Sequence, residues 1–281
     1  MARSNKTRMQ TPTGDIPQNP TAPPENAPDA AAMLQFIVPT EVVDLPSKGA
    51  FYPEGHPLHQ CGTIELRHMT AKEEDILTSA TLLKKGLALD KMLQSVIVDK
   101  SIKVQDLLVG DKNALLVHSR IFGYGPDYTT TLVCEACGAP HENTFNLENV
   151  GNKEIEDVLE KYGIETTENN TFCFTLPKSQ YEVEYRLLTS RDETEAASST
   201  GQVSSLALLE AITVSLNGQT DRFYIKRALS SLPILDASIL KRAYGRTTPD
   251  IDLTQEVTCP NCGETADVGV PLDAGFFWPQ L

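Results

Sequence analysis

A chain of 281 residues can build one large domain or two ordinary ones, and 40% hydrophobic with 22% charged residues fits a soluble globular protein carrying some disordered sequence. Its 38 acidic residues against 24 Lys and Arg leave a formal charge of −14, which argues against a sequence-independent grip on nucleic acid without excluding a small basic patch. No apolar run approaches membrane-spanning length and the N-terminus has no signal-peptide core, so a cytoplasmic, reducing setting is expected.

Residues 1–32 are rich in Pro, Asn, Thr, Ala and Gln and show no hydrophobic period, the composition of a disordered tail; ordering on a partner is the alternative. Residues 33–69 read as an extended, loop-rich segment. Leu34–Pro39 is a short extended piece. From Val42 through Gly49 to Pro57 a proline or glycine recurs every few residues, which forbids a helix and predicts a turn-rich loop clipped to the body by its aromatics. Thr63–Arg67 alternates with period two and predicts a strand.

A helical bundle is expected over 70–122. Thr70-Ala71-Lys72-Glu73 is a capping box that starts a helix of about four turns, through Leu83 to Gly86. A second helix covers about Leu87 to Val98 with Leu89, Met92, Leu93, Val96 and Ile97 on its apolar face. Asp111 is placed as the cap of a third, Lys112 to Ile121, and Gly123-Tyr124-Gly125-Pro126 breaks the bundle.

Residues 123–190 read as β-rich. Tyr128–Val133 and Glu142–Leu147 flank a cysteine turn, a short acidic surface helix is expected at 153–161, and Thr171–Leu176 with Tyr181–Leu188 make a hairpin. Residues 191–248 read as helical after a polar opening, Arg191 to Gly201, in which Ser199-Thr200-Gly201 marks a joint. The expected helices are Leu206 to Leu216, one capped by Asp221 and running to Leu232, and Asp236 to Tyr244, stopping at Gly245. In the last part, 249–281, Pro249–Val257 is extended, a second cysteine turn follows, and Val268–Pro271 leads away from it.

The two turns are Cys134-Glu135-Ala136-Cys137-Gly138 and Cys259-Pro260-Asn261-Cys262-Gly263, with 121 residues, 138–258, between them. Two intervening residues let both sulfurs of a turn aim at one ion, and the glycine relieves the tight bend that points amides at the sulfurs. Cys134, Cys137, Cys259 and Cys262 together supply the four thiolates of a closed tetrahedral Zn2+ shell, a structural and not a catalytic site. A redox Cys-x-x-Cys usually comes singly at a helix start after a strand, and disulfides call for an oxidising compartment, so both are disfavoured. His141, four residues after Cys137, is an alternative ligand, with an exposed loop histidine as the simpler reading. Cys61 and Cys173 read as ordinary thiols. His56, His59 and His68 lie near Cys61, but in a loop that gives ligands no fixed geometry.

The constellations of enzymes are missing: no Gly-rich phosphate loop, no Gly-x-Ser-x-Gly elbow, no His-Glu-x-x-His helix. No enzymatic activity is expected. The terminus Phe276-Phe277-Trp278-Pro279 is unusual in ending on aromatics. They either close the core under the cysteine turns or anchor another subunit.

Three stretches carry a resemblance. They are Leu45-Pro46-Ser47-Lys48-Gly49 with Tyr52-Pro53; Met69 to Leu77, continuing through Leu107 to Leu116, Arg120-Ile121 and Gly123 to Gly125; and Phe276 to Pro279. Together they resemble the T4-like bacteriophage baseplate hub and hub-assembly proteins, over about Leu45 to Leu281. The resemblance implies a non-enzymatic role in building the contractile-tail baseplate hub, as assembly chaperone or hub component. Partners would be other baseplate and tail hub proteins, with no membrane segment and no nucleic acid. The place would be the host cytoplasm during assembly, with the virion tail baseplate as the alternative. A zinc-ribbon nucleic-acid or transcription adaptor is the competing function. The expected fold class is α+β, with helical bundles flanking a zinc-ribbon-like β region built from the two distant Cys-x-x-Cys knuckles.

Overall fold

A loop rich in proline and glycine opens the structure, held between two strands. The computed structural model describes residues 38–153, 155, 159, 163–197, 204–271 and 274–277. The 1–32 tail, most of Leu34–Pro39, much of the acidic stretch at 153–161, the joint at Ser199-Thr200-Gly201 and the residues from Trp278 onward lie outside the described residues. The described part is α+β, and from Val38 onward it belongs to one unit.

Strand β1 (Thr40–Asp44) pairs antiparallel with β2 (Thr63–Arg67), placing Val43 opposite Ile64, both in the core. Leu45 N donates to Gly62 O at 2.8 Å and closes the intervening loop. The loop doubles back at Gly49, where φ is +73° and a Cβ would stand 2.5 Å from backbone atoms of Leu58 and Cys61. Only glycine fits such an approach. Tyr52 is buried, so this aromatic does clip the loop to the body.

Helix α1 (Ala71–Thr78) begins on the predicted capping box: Glu73 accepts from Thr70 N at 3.0 Å and Thr70 Oγ1 at 2.8 Å. Glu73 also takes two hydrogen bonds from Arg67 and one from Ser95, so a buried carboxylate is fully partnered. The helix does not run unbroken to Gly86. Ser79 leaves helical geometry at ψ 107°, and a separate short helix α2 (Ala80–Lys84) follows. Thr78 Oγ1 bonds back to Glu74 O at 2.8 Å, a contact by which Ser and Thr compete with the helix ladder. Helix α3 (Ala88–Val96) buries Met92, Leu93 and Val96, the face its spacing predicts.

Helix α4 (Val109–Tyr124) starts earlier and ends later than expected. Its N-cap is Leu108, and Asp111 is no cap; it sits inside the first turn, fully buried. There it accepts from Ser47 N (3.0 Å), Ser47 Oγ (2.6 Å) and Tyr52 OH (2.8 Å), and the Tyr52 hydroxyl in turn accepts from Leu108 N at 3.1 Å. The positive end of the helix is a favourable place for that carboxylate. The side chain that looked like a local cap therefore ties the Leu-Pro-Ser-Lys-Gly loop to α4.

Strands β3 (Asp127–Val133) and β4 (Pro140–Asn146) form one hairpin, and β5 (Gly151–Asn152) follows. A four-stranded antiparallel sheet contains, in order, β6 (Glu165–Thr166), β7 (Phe172–Thr175), β8 (Glu182–Tyr185) and β9 (Thr213–Leu216). Its β7–β8 pair is the predicted hairpin. β9 corrects the helix expected over Leu206–Leu216. The β-branched Thr213 and Val214 leave the helix, and Thr213–Leu216 adds to the sheet against Val183–Tyr185.

The polar stretch after Ser190 opens as helix α5 (Ser190–Ala197): Asp192 accepts from Thr189 N at 2.9 Å and pairs with Arg186 at 2.7 Å. Helices α6 (Ser205–Ile212) and α7 (Arg222–Ser230) follow, the latter capped by Asp221 as predicted, whose carboxylate accepts from Tyr224 N at 2.8 Å. Helix α8 (Ile234–Thr247) passes through Gly245, where helical φ needs no special residue. The chain then forms β10 (Ile251–Asp252), β11 (Thr254–Thr258) and β12 (Thr265–Gly269), and ends its described course in a short 3-10 turn at Ala274–Phe277 with both phenylalanines buried. Among the described residues, no helix is long and apolar enough to cross a membrane.

Candidate metal centre

Two hairpins from distant parts of the chain meet at their tips, and contacts at their bases put them there. On α4, a Cβ at Gly110 would lie 1.9 Å from Pro249 O, so the strand leading to the second cysteine turn rests directly on helix backbone. Asn113 Nδ2 donates to Asp250 Oδ1 at 3.2 Å, Lys153 N donates to Asp250 O at 2.9 Å, and β10 pairs with β5. Gln255 Nε2 then reaches Asn146 O at 2.7 Å, joining the base of β11 to the end of β4.

The β3–β4 and β11–β12 tips repeat one local geometry. In the first, Cys134 N donates to Ala139 O at 3.1 Å and Gly138 N to Cys134 O at 2.8 Å. In the second, Cys259 N donates to Glu264 O at 2.8 Å and Gly263 N to Cys259 O at 2.9 Å. Gly138 and Gly263 hold left-handed φ of +71° and +75°, which a side chain would strain.

The four sulfurs of Cys134, Cys137, Cys259 and Cys262 all lie within 4.8 Å of one another. Cys134 and Cys262 are 3.7 Å apart and Cys137 and Cys259 3.9 Å. A disulfide needs about 2.05 Å, so these are free thiols. An ion with bonds of about 2.3 Å at the centre of a sulfur tetrahedron sets edges of about 3.8 Å, and the two measured pairs sit at that length. The set fits a tetrahedral, thiolate-loving cation.

The electrostatics agree with that fit. The Asn261 side-chain amide donates to Cys137 Sγ at 3.5 Å and, with the Ala139 amide, pulls that thiol down to about 6. Amides of Cys262 and Asn261 lower Cys259. Cys262 goes the other way: the Glu264 amide favours its thiolate, but burial and the three neighbouring sulfurs push it up to about 12. Four negative sulfurs this close repel, and a bound cation would relieve that repulsion.

A family model described as T4 bacteriophage base plate protein matches residues 38–278. The chain belongs to that family. A search of curated proteins and a search of solved structures each found no match. The match spans both cysteine hairpins, the Ser47–Tyr52–Asp111 network and Phe276.

The baseplate chain brings the four predicted cysteines together and leaves the other predicted candidates apart. His141 pairs across the hairpin from Leu132 and is not in the sulfur cluster. His56 stacks on Tyr52 at 4.5 Å, His59 Nδ1 meets Tyr52 O at 2.7 Å, and His68 stacks on Phe122 at 5.4 Å, so these three histidines serve the loop and core. Cys61 and Cys173 are half-buried and stand outside the cluster. Sequence reasoning missed Asn261 and Gln255. Asn261 was visible as the residue inside Cys-Pro-Asn-Cys, but its reach to the opposite turn is not encoded locally.

Proposed function

We propose that this baseplate-family chain is a non-enzymatic protein of baseplate hub assembly whose four cysteines hold a structural zinc ion. The single observation that carries the metal reading is the four-sulfur cluster with edges near 3.8 Å. Zinc would give the chain a covalent-strength crosslink between its middle and its C-terminal part, in the manner of a zinc ribbon. Four protein ligands complete a tetrahedral shell and leave no position for a substrate, which supports a structural role.

The hub reading is supported by the family match and by the linked motifs around Ser47, Asp111 and Phe276. The chain would act in the host cytoplasm on other hub and tail proteins, as an assembly factor that leaves in preference to a permanent hub subunit. A nucleic-acid adaptor is not favoured, because segments 127–148 and 249–271 around the turns contain no Lys or Arg.

Metal analysis of freshly purified, reduced protein should find about one zinc per chain, with the four thiols slow to alkylate. Protein without bound metal overturns the zinc site. Deletion of the gene should yield no complete contractile tails, and intact tails from the deletion overturn the assembly role. Mass spectrometry of mature virions then separates a departing factor from a hub component.

A further inference from the structure

Charge is distributed unevenly over this chain. Helices α7 and α8 carry Arg222, Lys226, Arg227, Lys241, Arg242 and Arg246 against a single acid of their own, Asp236, and of these cations Lys226 pairs with Glu210 of α6 at 3.5 Å. Asp236 is buried, its oxygens taken by the amides of Lys178 and Ser179 at 3.0 and 2.7 Å. Along the outer stripe of α7, Phe223, Lys226, Arg227 and Ser230 follow at helical spacing, while Ile225 and Leu229 face the core. Phe223 is 75% exposed, and Ile234, at the start of α8, is 86% exposed. Of the nine large hydrophobics exposed among the described residues, five lie between 206 and 235. Scattered exposed apolar residues are ordinary, but a concentration of them among basic side chains marks an interaction face.

The cysteine hairpins present the opposite character. Segments 127–148 and 249–271 contain nine carboxylates and no Lys or Arg. Glu135, Glu142, Glu256, Glu264 and Asp267 are exposed, and none takes part in an ion pair among the described residues. Between the hairpins lies a cavity of about 490 Å³ lined by Leu132, Val257 and Val268, by Cys134 and Cys259 of the sulfur cluster, and by Glu264 and Asp267. Val133, on the same hairpin arm, is 66% exposed. A recess that mixes apolar walls with carboxylates is the complement of an apolar anchor framed by Arg and Lys.

We propose that the chain associates with itself head to tail: the α7–α8 face of one copy, anchored by Phe223 and Ile234, seats in the acidic cleft between the cysteine hairpins of the next. Two basic faces repel, so the contact joins unlike surfaces. Such a contact builds a ring if the rotation between copies closes and a filament if it does not. This inference does not depend on the identity of the ion at the sulfurs.

Sedimentation equilibrium of the full chain tests it. At low salt the average mass should exceed the 30.8 kDa of the monomer and rise with concentration, and added salt should return it towards the monomer. Phe223→Glu with Ile234→Glu, and separately Glu264→Lys with Asp267→Lys, should each give a monomer with an unchanged circular dichroism spectrum. Mixed together, the two variants retain one good face and one good cleft, so they should form a one-to-one dimer and nothing larger. Wild-type protein that stays monomeric at every concentration in low salt overturns the proposal. So does a mixture that stays monomeric, a variant that still self-associates, or duplex DNA bound through Lys226 and Arg227 by a protein that shows no self-association.

Discussion

Arg120 and Phe276 are joined across 156 positions of sequence: the Nε of a guanidinium that is 1% exposed donates to the Phe276 carbonyl at 2.9 Å. Its other nitrogens donate to Gly125 O at 2.8 Å and Asp127 O at 3.1 Å, and the Tyr124 ring lies 5.2 Å away. Three main-chain carbonyls and an aromatic face thus stand where a carboxylate would be expected. The pair fixes the aromatic terminus onto the α4–β3 corner, where Phe276 packs edge-on against Tyr128 at 5.2 Å. Of the two readings of that terminus, Phe276 and Phe277 close the core.

Arg120→Met removes the donor and leaves three carbonyls short of a partner. It should cost about 3 kcal/mol, read as a lower urea midpoint, since each buried group left unpaired costs roughly 1–3 kcal/mol and water will reach some of them. Hydrogen exchange at 274–277 should rise in the same variant.

Cys259→Ser should be felt in both hairpins. A shared site predicts faster hydrogen exchange at Thr129–Val133, far away in sequence, and a stability loss above about 4 kcal/mol. Exchange at Thr129–Val133 that matches wild type would contradict a site shared between the turns.

Gly110→Ala places a methyl group into Pro249 O. Overpacking of this kind costs about 3 kcal/mol at its upper range. Because Pro249 and Asp250 lead into β11, the variant should also expose Cys259 and Cys262 to alkylation faster than Cys61.

Two buried carboxylates should respond to acid in opposite directions. Burial alone would raise Glu73, but hydrogen bonds from Arg67, Ser95 and Thr70 outweigh it and hold the group at about 2, below its ordinary 4.5. Its contribution is complete above about pH 4.5 and is lost as pH falls towards 2, so Glu73→Gln should remove about 2 kcal/mol of acid-dependent stability. Burial outweighs the Ser47 and Tyr52 hydrogen bonds at Asp111 and raises it. Its folded state takes up a proton more readily than the unfolded chain, so lowering the pH stabilises wild type relative to Asp111→Asn. Urea melts across pH 2 to 7 check both slopes.

What was legible in the sequence was local. The Thr70–Glu73 box, the Asp221 cap, the β7–β8 hairpin and the two cysteine turns each declare themselves within a few residues. Thr213–Leu216 did not, because an apolar run suits helix or strand until a neighbour such as β8 decides. Asp111 misled because a carboxylate before a helical run looks the same whether it caps the helix or holds Ser47 and Tyr52. Gly110 was silent, since nothing near it in sequence announces that Pro249 will lie against it.

The meeting of the two hairpins also imposes an order in time. During synthesis Cys134, Cys137 and Arg120 emerge long before Cys259, Cys262 and Phe276, and they wait without their partners while the intervening chain is made. A nascent chain that stops short of Cys259 keeps two loose thiols and an unanswered guanidinium. The middle of the molecule is therefore completed only when the chain has been made as far as Phe276.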